Sequence, residues 1–122
     1  MTEKQKMLMG ILYNAEDQAL IEERNHAKSL TRQFNEHWED KGRRKYLIGQ
    51  IFGSLGKNVH LEAPIYLDYG YRTTIGSDFF SNFNLTILDG GGVGPSQLRL
   101  EIKYGLAEGL RFFLELRLAT IV

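Results

Sequence analysis

The chain has 122 residues, and its 15 basic and 15 acidic side chains give a formal net charge of +0 at neutral pH. A balanced charge argues against a broad nucleic-acid-binding surface, and the lack of cysteine excludes disulfides, thiolate zinc sites and a cysteine nucleophile. The N-terminus is polar, without the apolar run of a signal peptide, and no segment approaches the ~20 apolar residues of a membrane span. We therefore expect a cytoplasmic protein of one domain with a small helical appendage.

The first part of the chain is predicted to be helical. Apolar residues recur with helical spacing over 7–12, which predicts a first helix that ends near Tyr13 and Asn14. Asp17 can cap a second helix, because its carboxylate can accept a free backbone N–H group. The apolar stripe of this helix comprises Leu20, Ala27, Leu30, Phe34 and Trp38, and its opposite, solvated side comprises Glu22, Glu23, Arg24, Lys28 and Arg32.

A break in the helical pattern is predicted at Gly42, because glycine weakens a helix and suits a C-terminal cap. A third helix is expected over about 43–52, followed by Gly53 and Gly56. Its inward residues are predicted to be Leu47, Ile48 and Ile51. The helices together define a first predicted domain over 1–54.

A six-residue spacing of apolar residues begins at Leu55 and indicates a different architecture. After a slip of two residues the spacing resumes at Ile75, and a second apolar residue follows most of these positions by four. Such hexapeptide spacing is typical of a parallel β-helix, whose coils each contribute three short strands. The spaced positions are Leu55, Leu61, Leu67, Ile75, Ser81, Ile87 and Val93, and the second set is Val59, Ile65, Tyr71, Phe79 and Leu85.

About two coils are predicted, over 55–72 and 75–92. Two coils fall short of the three or more repeats that such folds usually need. The predicted fold class is therefore α+β, with a helical module followed by an incomplete parallel β-helix over 55–93. Residues expected at the turns, several of which tolerate a positive φ, are Gly56, Asn58, Gly70, Gly76, Asp78 and Asn84.

The six-residue spacing is absent from the tail at 94–122, which forms a third, atypical region. Residues 98–104 alternate as in a half-buried strand, and 110–122 are dense in Leu, Phe and Arg. Two explanations are open. Either a frameshift or premature end interrupts a longer enzyme after Val93, which the abrupt change favours, or the tail is a genuine segment that caps the open coil.

Several runs of sequence resemble the maltose and galactoside O-acetyltransferases of the hexapeptide acetyltransferase superfamily. The runs are Pro-Ile-Tyr-Leu-Asp-Tyr-Gly-Tyr at 64–71, Thr-Ile-Gly at 74–76, Asn-Phe-Asn-Leu-Thr-Ile-Leu-Asp at 82–89, and shorter matches at 1–7, 10–13 and 32–35. The resemblance implies a left-handed β-helix and transfer of an acetyl group from acetyl-CoA to a sugar hydroxyl. It also implies homotrimers with active sites between neighbouring β-helices.

The resemblance assigns candidate substrate-binding roles to three residues. Asp68 and Asn82 match family positions that face the sugar acceptor and the reacting centre, and Asp89 lies in a matching acidic turn. A carboxylate can hold two hydroxyl groups, and an amide can both donate and accept. The alternative for Asp68 and Asn82 is a local role in their turns. Tyr69 and Tyr71 are expected to pack within the coil and not to stack on the acceptor.

The family's general base, a histidine in a Thr-His-Pro-like segment of a later coil, has no counterpart here, because no histidine follows His60. His26 and His37 fall on the second helix, and His60 is predicted to point outward. We therefore assign no catalytic residue, no metal site and no CoA-binding residues. The sequence predicts a sugar O-acetyltransferase by descent that is inactive as an isolated chain. The alternatives are a non-catalytic sugar-binding or oligomerisation fragment and a product without function.

Overall fold

The computed structural model describes residues 1–92 and Gly94, so the predictions for the rest of the tail lie outside the described residues. Within the described part, three helices precede six short strands. They are α1 (Glu3–Leu8), α2 (Gln18–Glu36), α3 (Lys41–Ile51), β1 (Ser54–Leu55), β2 (His60–Leu61), β3 (Ile65–Leu67), β4 (Thr74–Ile75), β5 (Phe80–Ser81) and β6 (Leu85–Ile87). None of these helices has the length and apolar character needed to cross a membrane.

Helix α1 is shorter than predicted. Gly10 adopts a φ of +73°, and the N–H groups of Gly10 and Ile11 donate to the carbonyls of Met7 and Lys6. This pair of bonds terminates the helix in the manner of a Schellman motif. The predicted extension to 13–14 was therefore wrong, because the glycine ends the helix despite the apolar spacing beyond it. Of the apolar residues at 7–12, Met7 is buried, whereas Leu8, Met9, Ile11 and Leu12 are exposed.

Helix α2 begins where it was predicted to begin. The Asp17 carboxylate accepts the N–H of Ala19 at 3.1 Å and caps the helix. The helix ends at Glu36, so Trp38 lies beyond it and is 54% exposed. The prediction that Trp38 continues the apolar stripe was wrong for this reason. The buried residues of α2 are Leu20, Ala27, Thr31 and Phe34.

Helix α3 contains Gly42 near its start, which corrects the prediction that Gly42 caps the end of the preceding helix. The carboxylate of Asp40 accepts the N–H of Arg43 at 3.0 Å and caps α3. A carboxylate in the N-cap position is a strong start signal, and it outweighs the weak stop signal of the glycine. The predicted inward residues Leu47, Ile48 and Ile51 are buried.

Within the described residues, the strands follow two successive rounds of parallel chain, which are called here the first and the second coil. Each strand of the first coil pairs with one of the second, β1 with β4, β2 with β5 and β3 with β6. The paired residues lie 20 positions apart, as in Ser54 with Thr74 and Ile65 with Leu85. This offset matches the predicted hexapeptide coil plus a slip of two residues. Inward positions that are buried as predicted are Leu61, Leu67, Ile75, Ser81, Ile87, Ile65, Phe79 and Leu85.

Tyr71 is an exception to the inward spacing, since it is 38% exposed. Gly70, with a φ of +79°, turns the chain out of the coil, and the two extra residues follow at this corner. Thr73 is buried there in place of the tyrosine. The prediction for Tyr71 was wrong because the spacing rule assumes an uninterrupted coil.

Other corners carry residues in the left-handed backbone region, namely Asn58 and Asp78 with a φ of 58° and Asn84 with a φ of 71°. Asn and Asp tolerate this region better than other residues with a side chain. Asn58 and Asp78 are stacked on adjacent coils, and Asn58 Nδ2 donates to Asp78 Oδ1 at 3.0 Å. Gly56 is required by space, because a Cβ there would lie 2.2 Å from the backbone nitrogen of Ser77.

One hydrophobic core joins the helices to both coils. Side chains of α2 and α3 pack on the inward residues of the strands, so the predicted domains 1–54 and 55–93 share this core. Burying a large aliphatic or aromatic side chain contributes roughly 1.5–3 kcal/mol. Because α2 and α3 cover inward side chains of the strands, the helical module stabilises the coil as a cap. Members of the core include Phe34, Leu47, Ile51, Phe52, Leu61, Ile65 and Ile87.

Candidate functional site

Asn35 joins α2 to the edge of β3 that faces away from the second coil. Its side-chain Nδ2 donates to the carbonyl of Ile65 at 2.9 Å, and its Oδ1 accepts the N–H of Ile65 at 2.8 Å. The amide thus replaces a neighbouring strand and satisfies both backbone groups. In the sequence, Asn35 stands out only as part of the run at 32–35 that resembles the family, because the pattern does not reveal what its side chain contacts.

A pocket of about 510 Å³ lies beside this clamp, between α2 and the strands β3 and β6. Its wall combines the half-exposed ring of Tyr66 with two carboxylates, an amide and cationic groups. Such a mixture can stack on an apolar face and bind hydroxyl groups. The lining residues are Lys28, Thr31, Arg32, Asn35, Glu36, Tyr66, Leu67, Asp68, Thr86 and Leu88.

Asp68 is the half-buried carboxylate of this pocket. Burial raises its pKa above the ordinary value, and the nearby charge of Asp89 raises it further, while Arg24 and Lys28 oppose this effect. Within the described residues the Asp68 carboxylate accepts no hydrogen bond from a side chain or from the backbone. Its oxygens are therefore available to hydroxyl groups of a ligand.

Asn82 lies at a different corner of the coil from Asp68, directly after β5, whereas Asp68 follows β3. It does not line the Asp68 pocket. Its Oδ1 accepts the N–H of Phe83 at 2.9 Å, and its Nδ2 makes no hydrogen bond to the described part of the chain. The structure therefore does not bring Asn82 and Asp68 into one pocket of a single chain.

Asp89 is fully buried, with 0% of its surface exposed. Its Oδ1 accepts the N–H of Tyr69 at 2.8 Å, and its Oδ2 accepts the hydroxyl of Thr73 at 2.8 Å. A buried charge requires such partners. Asp89 closes the corner that carries the two extra residues, and it is not exposed to the pocket.

Arg24 connects α2 to the end of the first coil. Its Nη1 donates to the Tyr69 hydroxyl at 2.8 Å, and the guanidinium lies 5.7 Å from the centre of that ring. Tyr69 also packs with Met7 and Leu20. The predicted solvated face of α2 was therefore wrong for Arg24, while Lys28 and Arg32 from the same set line the Asp68 pocket.

No histidine of the described residues lines the Asp68 pocket. His26 is exposed on α2, and His37 lies at the C-cap of that helix. His60 lies on β2, where its Nε2 is 2.6 Å from Glu62 Oε1. The sequence pattern did not reveal Glu62 as a partner, although it directly follows β2 and a spacing of two residues in an extended chain places both side chains on the same face. Over residues 1–92 and 94, no three potential metal-ligating side chains are grouped.

The chain is similar to acetyltransferases of known sequence and structure. Residues 6–56 match the family model of the maltose acetyltransferase hexapeptide capping motif. The galactoside O-acetyltransferase of Escherichia coli K12 is 36% identical over 86 residues, which cover 70% of this chain and 42% of that enzyme. The chain spans about half the length of the curated relatives it matches.

Two solved structures extend this similarity to the fold. A maltose O-acetyltransferase from Clostridium difficile 630 has a TM-score of 0.73 and 43% identity, over 77% of this chain and 52% of that one. A hexapeptide-repeat acetyltransferase from Vibrio cholerae, complexed with acetyl-CoA, has a TM-score of 0.68 and 29% identity over the same shares. The comparisons confirm the resemblance inferred from the sequence, and the chain belongs to the maltose and galactoside O-acetyltransferase family of hexapeptide-repeat proteins.

Proposed function

We propose that this chain provides the acceptor-binding part of an acetyl-CoA-dependent sugar O-acetyltransferase. The observation that carries the proposal is the Asp68 pocket, in which an available carboxylate lies with the exposed ring of Tyr66. The family relatives named above include a galactoside and a maltose O-acetyltransferase, and one is complexed with acetyl-CoA. Acetyl-CoA is the corresponding co-substrate for this chain, and the cytoplasm is its location.

The proposed architecture is a left-handed β-helix with about two coils over 55–93, capped by the helical module at 1–54. The parallel pairing of three strand pairs and the structural relatives support it. The tail at 94–122 forms a third region in this proposal.

The reaction needs a base that removes the proton of the sugar hydroxyl as its oxygen attacks the thioester carbonyl, after which the thiol of CoA leaves. A histidine suits this task. None of the histidines in the described residues lines the Asp68 pocket, and no histidine of the chain follows His60. Since loss of a general base typically costs about 10²–10⁴-fold in rate, we expect the isolated chain to transfer acetyl groups no faster than buffer.

Asn82 has a role in this proposal only in an assembly. It lies at a different corner from Asp68, and its Nδ2 is free of hydrogen bonds to the described residues. In a homotrimer with sites between neighbouring β-helices, Asn82 of one protomer would face the acceptor held by Asp68 of another. Asp89 then supports the acceptor site indirectly, through the backbone of Tyr69.

The direct test measures binding of maltose and of a methyl galactoside by titration calorimetry. The Asp68→Asn variant removes the charge but keeps the shape of the side chain, and Asp78→Asn is the matched control at an exposed corner. We expect at least about tenfold weaker binding for the first variant, because charged hydrogen bonds typically contribute ~1.5–3 kcal/mol, and no change for the second. Equal affinity for the wild type and Asp68→Asn would contradict the assignment.

A separate assay tests activity, by measuring free thiol released from acetyl-CoA in the presence of sugar. We expect no sugar-dependent release. Release by the purified chain would contradict the proposed inactivity and would require a base other than those considered above.

The alternative is a non-catalytic sugar-binding or oligomerisation fragment. The presence of the Asp68 pocket within a single chain favours it. Sugar binding that persists while thiol release is absent even in a mixture with a full-length family enzyme would select this alternative.

A further inference from the structure

A second groove, of about 930 Å³, lies between α3 and the first coil and shares no lining residue with the Asp68 pocket. Its floor is apolar and includes Phe34, Ile48 and Leu61. Its cationic side chains are Lys41, Arg44, Lys45 and Lys57, and its lining includes no acidic residue. In a chain with a net charge of +0, this is a local excess of positive charge above an apolar surface.

Lys41 and Lys45 are placed where they weaken α3, the helix that carries them. Lys41 and Lys45 lie four residues apart on α3, and like charges at this spacing repel each other. The N-terminal end of a helix also disfavours cations, and the first turn of α3 has no acidic residue. Neither these lysines nor Lys57 forms an ion pair with any described residue. An arrangement that is unfavourable for the helix itself is typical of a functional site.

Arg44 is held in place at one side of this groove. Its Nη1 donates to the carbonyl of Trp38 at 2.9 Å, and its Nη2 lies 3.3 Å from His60 Nδ1. Arginine has only donors, so His60 Nδ1 accepts this bond and its Nε2 carries a proton, which it donates to Glu62. The His60 ring also stacks on Phe80, with 5.2 Å between the ring centres. The guanidinium is therefore preorganised, and its other N–H groups remain available to a ligand.

We propose that this basic groove binds a phosphorylated small molecule of the nucleoside diphosphate class. Lysine is a point-charge ligand for phosphate, and arginine binds phosphate oxygens with its planar fork. The apolar floor then accommodates the uncharged part of the molecule, and the volume suits a ligand of this size. The site goes beyond the proposed sugar site, since a neutral sugar gains nothing from four cations.

Gly49 makes the groove accessible and also offers a test that leaves the charges unchanged. It lines the groove near the end of α3, and a Cβ there would meet no atom within 4 Å. Leucine is a better helix former than glycine. The Gly49→Leu variant should therefore fold at least as well as the wild type while its side chain occupies space that a ligand would use.

The experiment measures binding of ADP, inorganic pyrophosphate and adenosine to the full chain by titration calorimetry at low salt. We expect ADP to bind, pyrophosphate to bind more weakly and adenosine not to bind. The double variant Lys45→Gln/Lys57→Gln should weaken ADP binding by at least about tenfold, in keeping with the strength of charged hydrogen bonds. Gly49→Leu should weaken ADP binding more than pyrophosphate binding. Arg43→Gln, which removes a charge from the same helix outside the groove, is the matched control and should leave binding unchanged.

Absence of ADP binding at millimolar concentration would overturn the proposal. It would also be overturned if Arg43→Gln weakened binding as much as the double variant, or if adenosine bound as well as ADP. The Asp68→Asn variant should bind ADP as the wild type does. Failure of the proposed sugar site can therefore be distinguished from failure of the proposed groove site.

Discussion

The two sides of the first coil differ in how the helical module covers them. On one side, the amide of Asn35 bonds to both backbone groups of Ile65 and closes the outer edge of β3. On the other side, α3 stands away from the β1–β2 segment and leaves the basic groove. In the described part of the chain, no side chain bonds to the backbone of β2 in the way that Asn35 bonds to β3. The same helices therefore close one edge of the coil and form a binding surface at the next.

Removal of the Asn35 amide is expected to cause the largest loss of stability at the closed edge of the coil. Asn35→Ala leaves a partly buried N–H and C=O of Ile65 without partners, so we expect the free energy of unfolding to fall by about 2–3 kcal/mol. Urea unfolding measures this change, and hydrogen exchange should show lost protection at the Ile65 amide. Asn25→Ala, at an exposed position of the same helix, is the control and should be within about 0.5 kcal/mol of the wild type. If Asn35→Ala lost no more stability than the control, β3 would not need a side-chain partner.

The corner next to β3 provides the second test, through Asp89. Asp89→Asn keeps the shape but removes one acceptor from the pair formed with Tyr69 and Thr73, and we expect a loss of about 2 kcal/mol in unfolding free energy. The substitution should change sugar affinity only in proportion to this loss of folded protein. Calorimetry and urea unfolding together provide the measurement. A large drop in sugar affinity without loss of stability would instead mean that Asp89 binds the acceptor directly.

On the groove side, Asn58 is expected to give a smaller effect. Asn58→Ala places an alanine at a φ of 58° and removes the bond to Asp78, which should cost about 1–2 kcal/mol. Asn58→Gly relieves the backbone strain and should recover most of this loss. Thermal unfolding of the pair separates the two contributions, and equal melting temperatures would show that the backbone conformation is not the cause.

The smallest effect is expected from Asp68, and its size depends on pH. Burial raises the pKa of this carboxyl in the folded state, so ionisation disfavours folding, and stability is lost as the pH rises from the ordinary value of 3.8 through the folded pKa. Asp68→Asn removes this penalty. At pH 7 the variant should be slightly more stable than the wild type, and the difference should vanish below about pH 3.8. Urea unfolding across this range provides the measurement, and a variant that is less stable at pH 7 would contradict it.

The strand positions could be predicted from sequence because their spacing is set by the inward side chains alone. Leu61, Ile65 and Ile87 are buried where the six-residue pattern placed them. The two-residue slip was also visible, but not its effect on Tyr71, because a spacing rule gives no account of how an inserted corner turns. The helix cap at Asp17 was predictable because it depends on a local contact, with a partner only two residues away.

The contacts that organise the site could not be predicted, because they join residues distant in sequence. Asn35 is 30 residues from Ile65, and Arg24 is 45 residues from Tyr69. The sequence identified Asp68 only through family resemblance, and it did not predict the basic groove, since its cations come from α3 and from a coil corner that had been considered separately. Helix ends were missed where two signals competed, as at Gly10 and Gly42.

The number of residues in the corner at 70–73 can change without a shift in the pairing of the strands. Asp89 fastens its inner side through the backbone of Tyr69 and the hydroxyl of Thr73, and the strands on either side keep the same pairing with their neighbours. Residues added or removed between these two anchors would change the outer loop without shifting any strand by one position, which would otherwise exchange inward and outward side chains. A change of chain length at the exposed position of Tyr71 should therefore leave the three strand pairs in register.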